Sequence, residues 1–231
     1  KAIKKVVDVN VDFVNTAIAL RCFFSPSPLT PYEGVYRVRP GSFIKYKEGK
    51  ISEGRWYNLK VRPDKIKTYE DFRDGFGELF ESSVDLRLKS DVKVGSYLSG
   101  GLDSSLIVHY ASQKQSNLPV FTANVSDPLP SLGKNYDNEN SFRFANERKL
   151  DRTVIDFNYD FINENLLKAI ASYDDLLPNT GILIFNQISK IARSKGVTIL
   201  YDGVGGDELF GGYPWQFDIR KVPECFHGCL S

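Results

Sequence analysis

One stretch of ten residues constrains the fold of this chain more than any other: Ser96-Tyr97-Leu98-Ser99-Gly100-Gly101-Leu102-Asp103-Ser104-Ser105. Residues 92–98 are apolar enough for a buried strand, and residues 104–111 have the apolar spacing of a helix that rests one face on a sheet. Two adjacent glycines in the turn between them let the backbone approach an anion closely. The first amides of the helix lack intrahelical acceptors and lie at the positive end of its dipole. The stretch therefore predicts a phosphate-binding turn between a strand and a helix.

This turn contains an acid where a Walker A loop would have a lysine. The Walker spacing of four residues between glycines is also missing. Asp103 would repel a phosphate unless a divalent cation lay between them, and Mg²⁺ is commonly held by one or two carboxylates together with phosphate oxygens. An alternative is that Asp103 is an ordinary N-cap, since Asp and Ser lead the N-cap ranking. The turn thus predicts a Mg²⁺ site, with a simple helix cap as the competing interpretation.

The segments around this turn alternate between strand and helix patterns. Further strands are predicted at 118–125, 152–157 and 196–201, and helices at 69–88, 139–150, 160–173 and 181–194. Strand and helix in alternation are typical of right-handed βαβ units. We therefore predict an α/β fold, with a parallel sheet and helices on both faces.

The first part of the chain has a different pattern. A helix is predicted within residues 11–22, a proline-rich loop at 25–31, and three hairpin strands at 35–39, 42–47 and 51–57. A three-stranded meander is too small to be stable alone, so it is expected to end a larger domain. Residues 59–68 are polar and contain Pro63, which indicates a linker. The predicted division is 1–58, linker 59–68, and 69–231.

A second glycine-rich stretch runs from Asp202 to Tyr213 and follows the last predicted strand. In an open parallel sheet, ligands bind outside the carboxyl ends of the strands, so two loops at that edge can meet. We expect Asp103 and Asp207 to share Mg²⁺ on the phosphate side, with the backbone at Asp202 and Gly203 facing a nucleotide base or ribose. The alternative is that the acids of this stretch only stabilise a helix start.

Both stretches carry a resemblance to one family. Ser-Gly-Gly-Leu-Asp-Ser-Ser after an apolar strand resembles the pyrophosphate-binding loop of the PP-loop ATP pyrophosphatases (adenine nucleotide α-hydrolase-like), most closely that of the glutamine-dependent asparagine synthetases. Gly-x-Gly-Gly-Asp-Glu-Leu-Phe-Gly-Gly-Tyr resembles the second signature of that family. Pro40-Gly41 and Arg55-Trp56-Tyr57 are similar to the end of its glutaminase domain. The resemblance implies that 1–58 is the C-terminal, β-rich remnant of a class II glutamine amidotransferase domain (α+β). It also implies that 69–231 is a C-terminally truncated ATP-binding domain.

The resemblance also implies a reaction and a site. The enzyme would be a ligase forming a C–N bond in asparagine biosynthesis: the aspartate side chain attacks the ATP α-phosphate, pyrophosphate leaves, and ammonia from glutamine displaces AMP from the acyl-adenylate. Asp103 and Asp207 would be catalytic and hold Mg²⁺. Pyrophosphate would lie on Ser99, Gly100, Gly101, Asp103, Ser104 and Ser105, and AMP on Tyr97, Leu98, Ala123, Asp202 and Gly203. Such catalysis rests mostly on positioning and charge neutralisation.

Two departures from the family pattern keep alternatives open. Val204 stands where the family usually has a glutamate, and a valine cannot transfer a proton. Cys22 lies inside a segment without a free α-amino group, so glutaminase chemistry is not carried over. The alternatives are a β-lactam synthetase-like ligase acting on another carboxylate, and a non-catalytic nucleotide-binding fragment.

Composition narrows the class of partners. Thirty basic and twenty-nine acidic residues give a net charge of +1, which provides no global field for nucleic acid or an anionic membrane. No apolar run is long enough to span a membrane or resembles a signal peptide, so we expect a cytoplasmic protein. The chain begins with Lys1 and contains no methionine, which favours a fragment. Small molecules are the expected partners, and a homodimer is left open.

Overall fold

The computed structural model describes residues 3, 6–60, 68–126, 136–173, 176 and 181–213. Contacts divide the chain into two compact units, Lys1–Ile66 with Leu167–Thr180, and Lys67–Leu166 with Gly181–Ser231. Most of the predicted linker, residues 61–67, lies outside the described residues. The identity of 1–58 as part of a glutaminase domain stays a prediction.

The described residues of the first unit form one helix and one hairpin, together with the end of a helix that begins in the second unit. Its elements are α1 (Phe13–Cys22), β1 (Ser42–Lys47) and β2 (Lys50–Arg55). Helix α1 begins after Asp12, whose carboxylate accepts the Asn15 N–H at 2.9 Å. The antiparallel strands are joined at Glu48 and Gly49, both with positive φ, as a two-residue hairpin turn with the twist of its strands requires.

The predicted strand at 35–39 is wrong. These residues have no strand structure, because their backbone groups bond to the proline-rich loop instead of a neighbouring strand. The Val35 carbonyl accepts the Thr30 hydroxyl at 2.7 Å, and the Arg37 N–H donates to the Pro28 carbonyl at 2.8 Å. The alternation of apolar and polar residues at 35–39 therefore occurs in a loop and does not mark a strand.

The second unit carries the parallel sheet. Its elements are α2 (Tyr69–Leu88), β3 (Val94–Tyr97), α3 (Leu102–Lys114), β4 (Val120–Val125), α4 (Tyr136–Glu147), β5 (Arg152–Phe157), α6 (Gly181–Ser194), β6 (Ile199–Tyr201) and α7 (Gly206–Phe210), and α5 (Tyr159–Ser172) begins in it. The strand order is β5-β4-β3-β6, and every pairing is parallel. The α/β prediction is confirmed.

Helices cover both faces of this sheet, as predicted. Val120 and Phe121 are adjacent in β4 and point to opposite faces, and each belongs to a different core cluster. One cluster includes residues of α2, α3 and α4, and the other includes Ile188 and Ala192 of α6. Two apolar layers therefore hold the sheet between helices.

The direction of winding reverses at β3. From β3 the chain moves outward to β4 and β5, and it then returns to place β6 on the other side of β3. In sheets of this kind the crevice for a ligand lies beyond the carboxyl ends of the strands at the reversal. Both glycine-rich stretches leave the sheet at that point, after β3 and after β6.

Within the described residues, no helix has the length and apolar character needed to cross a membrane.

Candidate active site

The two glycine-rich loops meet, as the sequence predicts. Strands β3 and β6 pair in parallel with Ser96 beside Tyr201, so the loops that follow them start side by side. A β-carbon on Gly203 would lie 3.0 Å from the backbone nitrogen of Ser104. The absence of a side chain at Gly203 therefore lets the second loop close on the start of α3.

The first loop is braced by its own hydroxyls and by α4. The Ser99 and Ser104 hydroxyls lie 2.9 Å apart, and the Gly101 N–H donates to the Ser99 hydroxyl at 3.2 Å. Gly100 has φ +88°, and a β-carbon there would collide with the Asp137 carbonyl in the first turn of α4. Gly100 is thus needed both for its backbone conformation and for the contact with α4.

The interpretation of Asp103 as an ordinary N-cap is wrong. The N-cap of α3 is Gly101, which provides no side-chain cap, and Asp103 is the second residue of the helix. Its carboxylate instead faces Gly206 of the second loop: a β-carbon on Gly206 would lie 2.9 Å from Asp103 Oδ1. In the second loop, Glu208 does act as a cap, because it accepts the Gly205 N–H at 3.0 Å and the Tyr213 hydroxyl at 2.9 Å.

The electrostatics of the site favour a cation. The pKa of Asp103 is raised because the carboxyl is partly buried and because Asp207 and Glu208 place negative charge nearby. Hydrogen bonds from its own backbone N–H and from the Tyr213 hydroxyl lower the pKa of Glu208. Among the residues that the structure describes, no three His, Cys, Asp or Glu side chains form a metal-binding group. Carboxylates are the side chains that commonly hold Mg²⁺ together with phosphate oxygens, so Asp103 and Asp207 are donors of the type that such an ion would need.

A cleft of about 600 Å³ opens beside the two loops. Ten of the predicted site residues line it: Tyr97, Leu98, Ser99, Gly101, Asp103, Ser104, Ala123, Asp202, Gly203 and Asp207. Gly100 and Ser105 do not, and both line a separate cavity between the loop and α4. Gly100 turns toward Asp137, and Ser105 is rotated away from Ser104 by the turn of the helix. The structure thus separates these two residues from the rest of the predicted site.

A comparison with known protein families agrees with the geometry of the two loops. Residues 75–227 match the family model described as asparagine synthase, and the match includes both loops. The chain belongs to the asparagine synthase family.

The chain is similar to three curated proteins with different names. The chain is 31% identical to "Asparagine synthetase [glutamine-hydrolyzing] 1" of Bacillus subtilis, over 82% of this chain and 29% of that protein. It is 28% identical to "Putative asparagine synthetase [glutamine-hydrolyzing] 2" of Methanocaldococcus jannaschii, over 97% and 44%. It is also 28% identical to "Amidase chry2" of Gibberella zeae, over 84% and 31%. The chain thus spans less than half the length of each of these relatives.

The apolar half of the cleft was missed by sequence reasoning. Helix α6 contributes Ile184, Phe185 and Ile188, and the Phe185 ring stands edge-on to Tyr97 with centroids 5.3 Å apart. The only available signal was helical spacing of apolar residues in α6, which core packing explains equally well. In this member of the asparagine synthase family, the cleft therefore has a charged side at the loops and an apolar side at α6.

Val204 lies in the same cleft. Its side chain is 76% exposed and stands at the position where the family resemblance expects a glutamate. An exposed valine provides neither a charge nor a group that transfers protons. Val204, where the resemblance expects a glutamate, thus lines the same cleft as the two loops.

Proposed function

We propose that this chain is the ATP-binding synthetase part of an asparagine synthetase-type amidotransferase. It would activate the side-chain carboxylate of aspartate, or of a related acid, as an acyl-adenylate with release of pyrophosphate, and ammonia from glutamine would then displace AMP. The observation that carries the proposal is the closure of the second loop on Asp103, beside the cleft at the carboxyl ends of β3 and β6.

The first loop would hold the pyrophosphate part of ATP. Gly101 provides no side-chain cap for α3, so the first N–H groups of this thirteen-residue helix are left to an anion, at the positive end of the helix dipole. Ser99 and Ser104 keep the turn in shape through their hydroxyl contact. These groups act by position rather than as nucleophiles, which suits a reaction that depends on charge neutralisation.

Asp103 and Asp207 would hold Mg²⁺. When bound, the ion would neutralise charge on the phosphate oxygens and on the departing pyrophosphate. The negative charge around Asp103, which raises the pKa of this carboxyl, is the reason to expect a cation there. The role of the two aspartates is therefore to bring ATP and its counterion together at the end of β3.

AMP would occupy the rest of the cleft. The residues proposed for it are Tyr97, Leu98, Ala123, Asp202 and Gly203, at the carboxyl ends of three neighbouring strands. Phe185 and Ile188 of α6 provide an apolar wall on which a flat base can pack. The cleft thus offers apolar surface for the base and polar groups for the sugar and phosphates.

The whole protein is expected to work in the cytoplasm on small molecules. Residues 1–58 are proposed as the end of a glutaminase domain, and the 97% coverage in the alignment with the Methanocaldococcus jannaschii relative supports this. Val204 favours a second candidate, a ligase of the same scaffold that acts on another carboxylate, because position 204 lacks the glutamate that the resemblance expects.

Pyrophosphate release from ATP and Mg²⁺ tests the proposal. Release that depends on aspartate, with asparagine formed when ammonia is added, is the expected result. Release only with a different carboxylic acid would support the second candidate. Binding of Mg·ATP without release, with any acid tried, would contradict both and leave a non-catalytic nucleotide-binding fragment.

A further inference from the structure

Arg152, the first residue of β5, sits in a cluster of neutral acceptors. Its Nε donates to the Thr122 hydroxyl at 3.2 Å, and its Nη2 donates to the Asn138 carbonyl at 3.1 Å and to the Ser141 hydroxyl at 2.9 Å. The Asn138 side-chain oxygen also accepts from Nη2. Thr122 and Ser141 are both completely buried. The guanidinium therefore joins strand β4 to the first turn of α4.

The guanidinium also sets the direction of two hydroxyl protons. An arginine side chain has donors and no acceptor, so the hydroxyls of Thr122 and Ser141 must accept from it. Each hydroxyl has one proton left to donate. Thr122 donates it to the Leu98 carbonyl at 2.8 Å, and Ser141 donates it to the Asn138 carbonyl at 2.9 Å.

Both hydrogen-bond routes end at the first glycine-rich loop. Leu98 is the residue immediately before Ser99, and its carbonyl is held by Thr122. On the other route, the first turn of α4, to which Arg152 bonds, contacts the loop at Gly100. A shift of Arg152 would thus reach the loop from two sides.

The positive charge of Arg152 has no carboxylate partner among the described residues. Each hydrogen bond found for its guanidinium goes to a neutral oxygen. Partial burial lowers the pKa of Arg152, but an arginine remains charged in proteins.

We propose that Arg152 is a positioning residue that fixes the phosphate loop, through Thr122 and through the first turn of α4, in the form that binds the pyrophosphate part of ATP. The inference rests on the proposed function for its ligand. One route ends at Leu98, which is also proposed for AMP, but neither route reaches the apolar wall on α6, so the effect on the pyrophosphate part of the ligand should be larger than the effect on AMP.

Ligand binding to the full chain tests this assignment. Arg152→Gln and Thr122→Val are expected to raise the Kd for Mg·ATP and for magnesium pyrophosphate about tenfold, and the Kd for AMP less than about twofold. Thr122 lies on one of the two routes that Arg152 controls. The Kd of the double variant for Mg·ATP should therefore rise by less than the product of the two single fold-changes. Arg73→Gln, which removes an exposed arginine of α2 whose Nε donates to Asp74 of the same helix at 2.8 Å, should leave all three constants unchanged.

Amide hydrogen exchange in the free protein provides a readout that does not depend on ATP. Exchange at residues 98–101 should be faster in Arg152→Gln and Thr122→Val than in wild type or Arg73→Gln. Arg152→Lys, which keeps the charge but cannot bond to all these acceptors, should behave like Arg152→Gln. Equal losses of affinity for AMP and for Mg·ATP in the variants, or unchanged amide exchange at 98–101, would overturn this assignment. If the wild-type chain still binds Mg·ATP, the proposed function is upheld in that case. A wild-type chain that binds neither Mg·ATP nor pyrophosphate would overturn the proposed function and this assignment together.

Discussion

Gly206 lies against the carboxylate of Asp103, so closely that a β-carbon on Gly206 would come within 2.9 Å of Asp103 Oδ1. The two residues are more than one hundred positions apart in the chain, and parallel pairing of β3 with β6 brings them together. The contact explains why a glycine is needed at the start of α7, where φ is not positive and an alanine would otherwise favour the helix.

Gly206→Ala should therefore impair the site without unfolding the protein. The added methyl group would push the second loop away from Asp103 and lower the rate of pyrophosphate release about 100-fold, the scale of a 1 Å displacement in a catalytic site. Gly75→Ala is the matched control, because a β-carbon on Gly75 inside α2 meets nothing within 4 Å. That control should retain full activity and gain about 0.5–1 kcal/mol of stability in a denaturant titration. Equal activity of the two variants would refute the importance of the contact.

Asp103→Asn tests the proposed Mg²⁺ site. The substitution keeps the shape of the side chain and removes the charge, so Mg·ATP should bind about 100-fold more weakly, while AMP without metal should bind as before. Calorimetry at several Mg²⁺ concentrations measures both constants. Asp91→Asn, which changes an exposed aspartate in the loop before β3, should have no effect. The metal assignment fails if AMP and Mg·ATP lose affinity equally.

The raised pKa of Asp103 predicts a pH dependence of stability. A carboxyl with a raised pKa in the folded state binds its proton more tightly there than in the unfolded chain, so its ionisation destabilises the fold. The penalty is absent below the unfolded pKa, grows as the pH rises toward the folded pKa, and is complete above it. Asp103→Asn should thus be more stable than wild type at neutral pH, and the two should converge in acid. A thermal unfolding series from pH 3 to 8 without Mg²⁺ measures the difference, and a constant difference across this range would contradict the prediction.

Glu208 should have the opposite pH dependence. Its pKa is lowered by hydrogen bonds from its own backbone N–H and from Tyr213, so the ionised form stabilises the cap of α7 above the unfolded pKa, and this stabilisation is lost as the pH falls through the lowered pKa. Glu208→Gln should weaken protection of the Gly205 amide, which donates to this carboxylate, at neutral pH but not in acid. Hydrogen exchange at the two pH values, corrected for intrinsic rates, measures this. The same loss of protection at both pH values would mean that the charge of Glu208 plays no part.

Strongly periodic segments could be predicted from the sequence because their pattern is decided locally. The predicted bounds of α6 and β5 agree with the structure at both ends. The apolar spacing continues through the whole of α6, and β5 is rich in β-branched and apolar residues. Residues 35–39 show the limit of such patterns. Their alternation matches a strand, but they bond to the preceding proline-rich loop and not to a neighbouring strand.

The site was less predictable, because its shape depends on contacts between elements far apart in the sequence. Gly100 and Ser105 belong to the same motif as Ser99 and Ser104, yet the contact of Gly100 with α4 turns this part of the loop away from the cleft. Phe185 and Ile188 have the spacing of core residues, but in the tertiary structure Ile188 belongs to the core, Phe185 is partly exposed, and both line the cleft. A sequence motif can therefore indicate the chemistry of a loop, but it does not show which residues of that loop line the cleft.

Val204→Glu tests whether the missing carboxylate limits the second half of the proposed reaction. The side chain at this position is exposed to the cleft, so a glutamate would be tolerated and could take a proton from an attacking amine. With aspartate as substrate, the variant should form asparagine from ammonia at least about tenfold faster than wild type, while the rate of pyrophosphate release changes little, because ATP activation depends on the two aspartates.

Val204→Gln is the matched control for this experiment. It has nearly the same size and polarity as glutamate but cannot act as a base at neutral pH, so it should form asparagine at the wild-type rate. Asparagine and pyrophosphate measured in the same reactions separate the two half-reactions. If Val204→Glu and Val204→Gln gave equal rates of asparagine formation, a catalytic carboxylate at this position would be excluded as the limiting feature. A ligase for a different carboxylate would then be the better account of the valine.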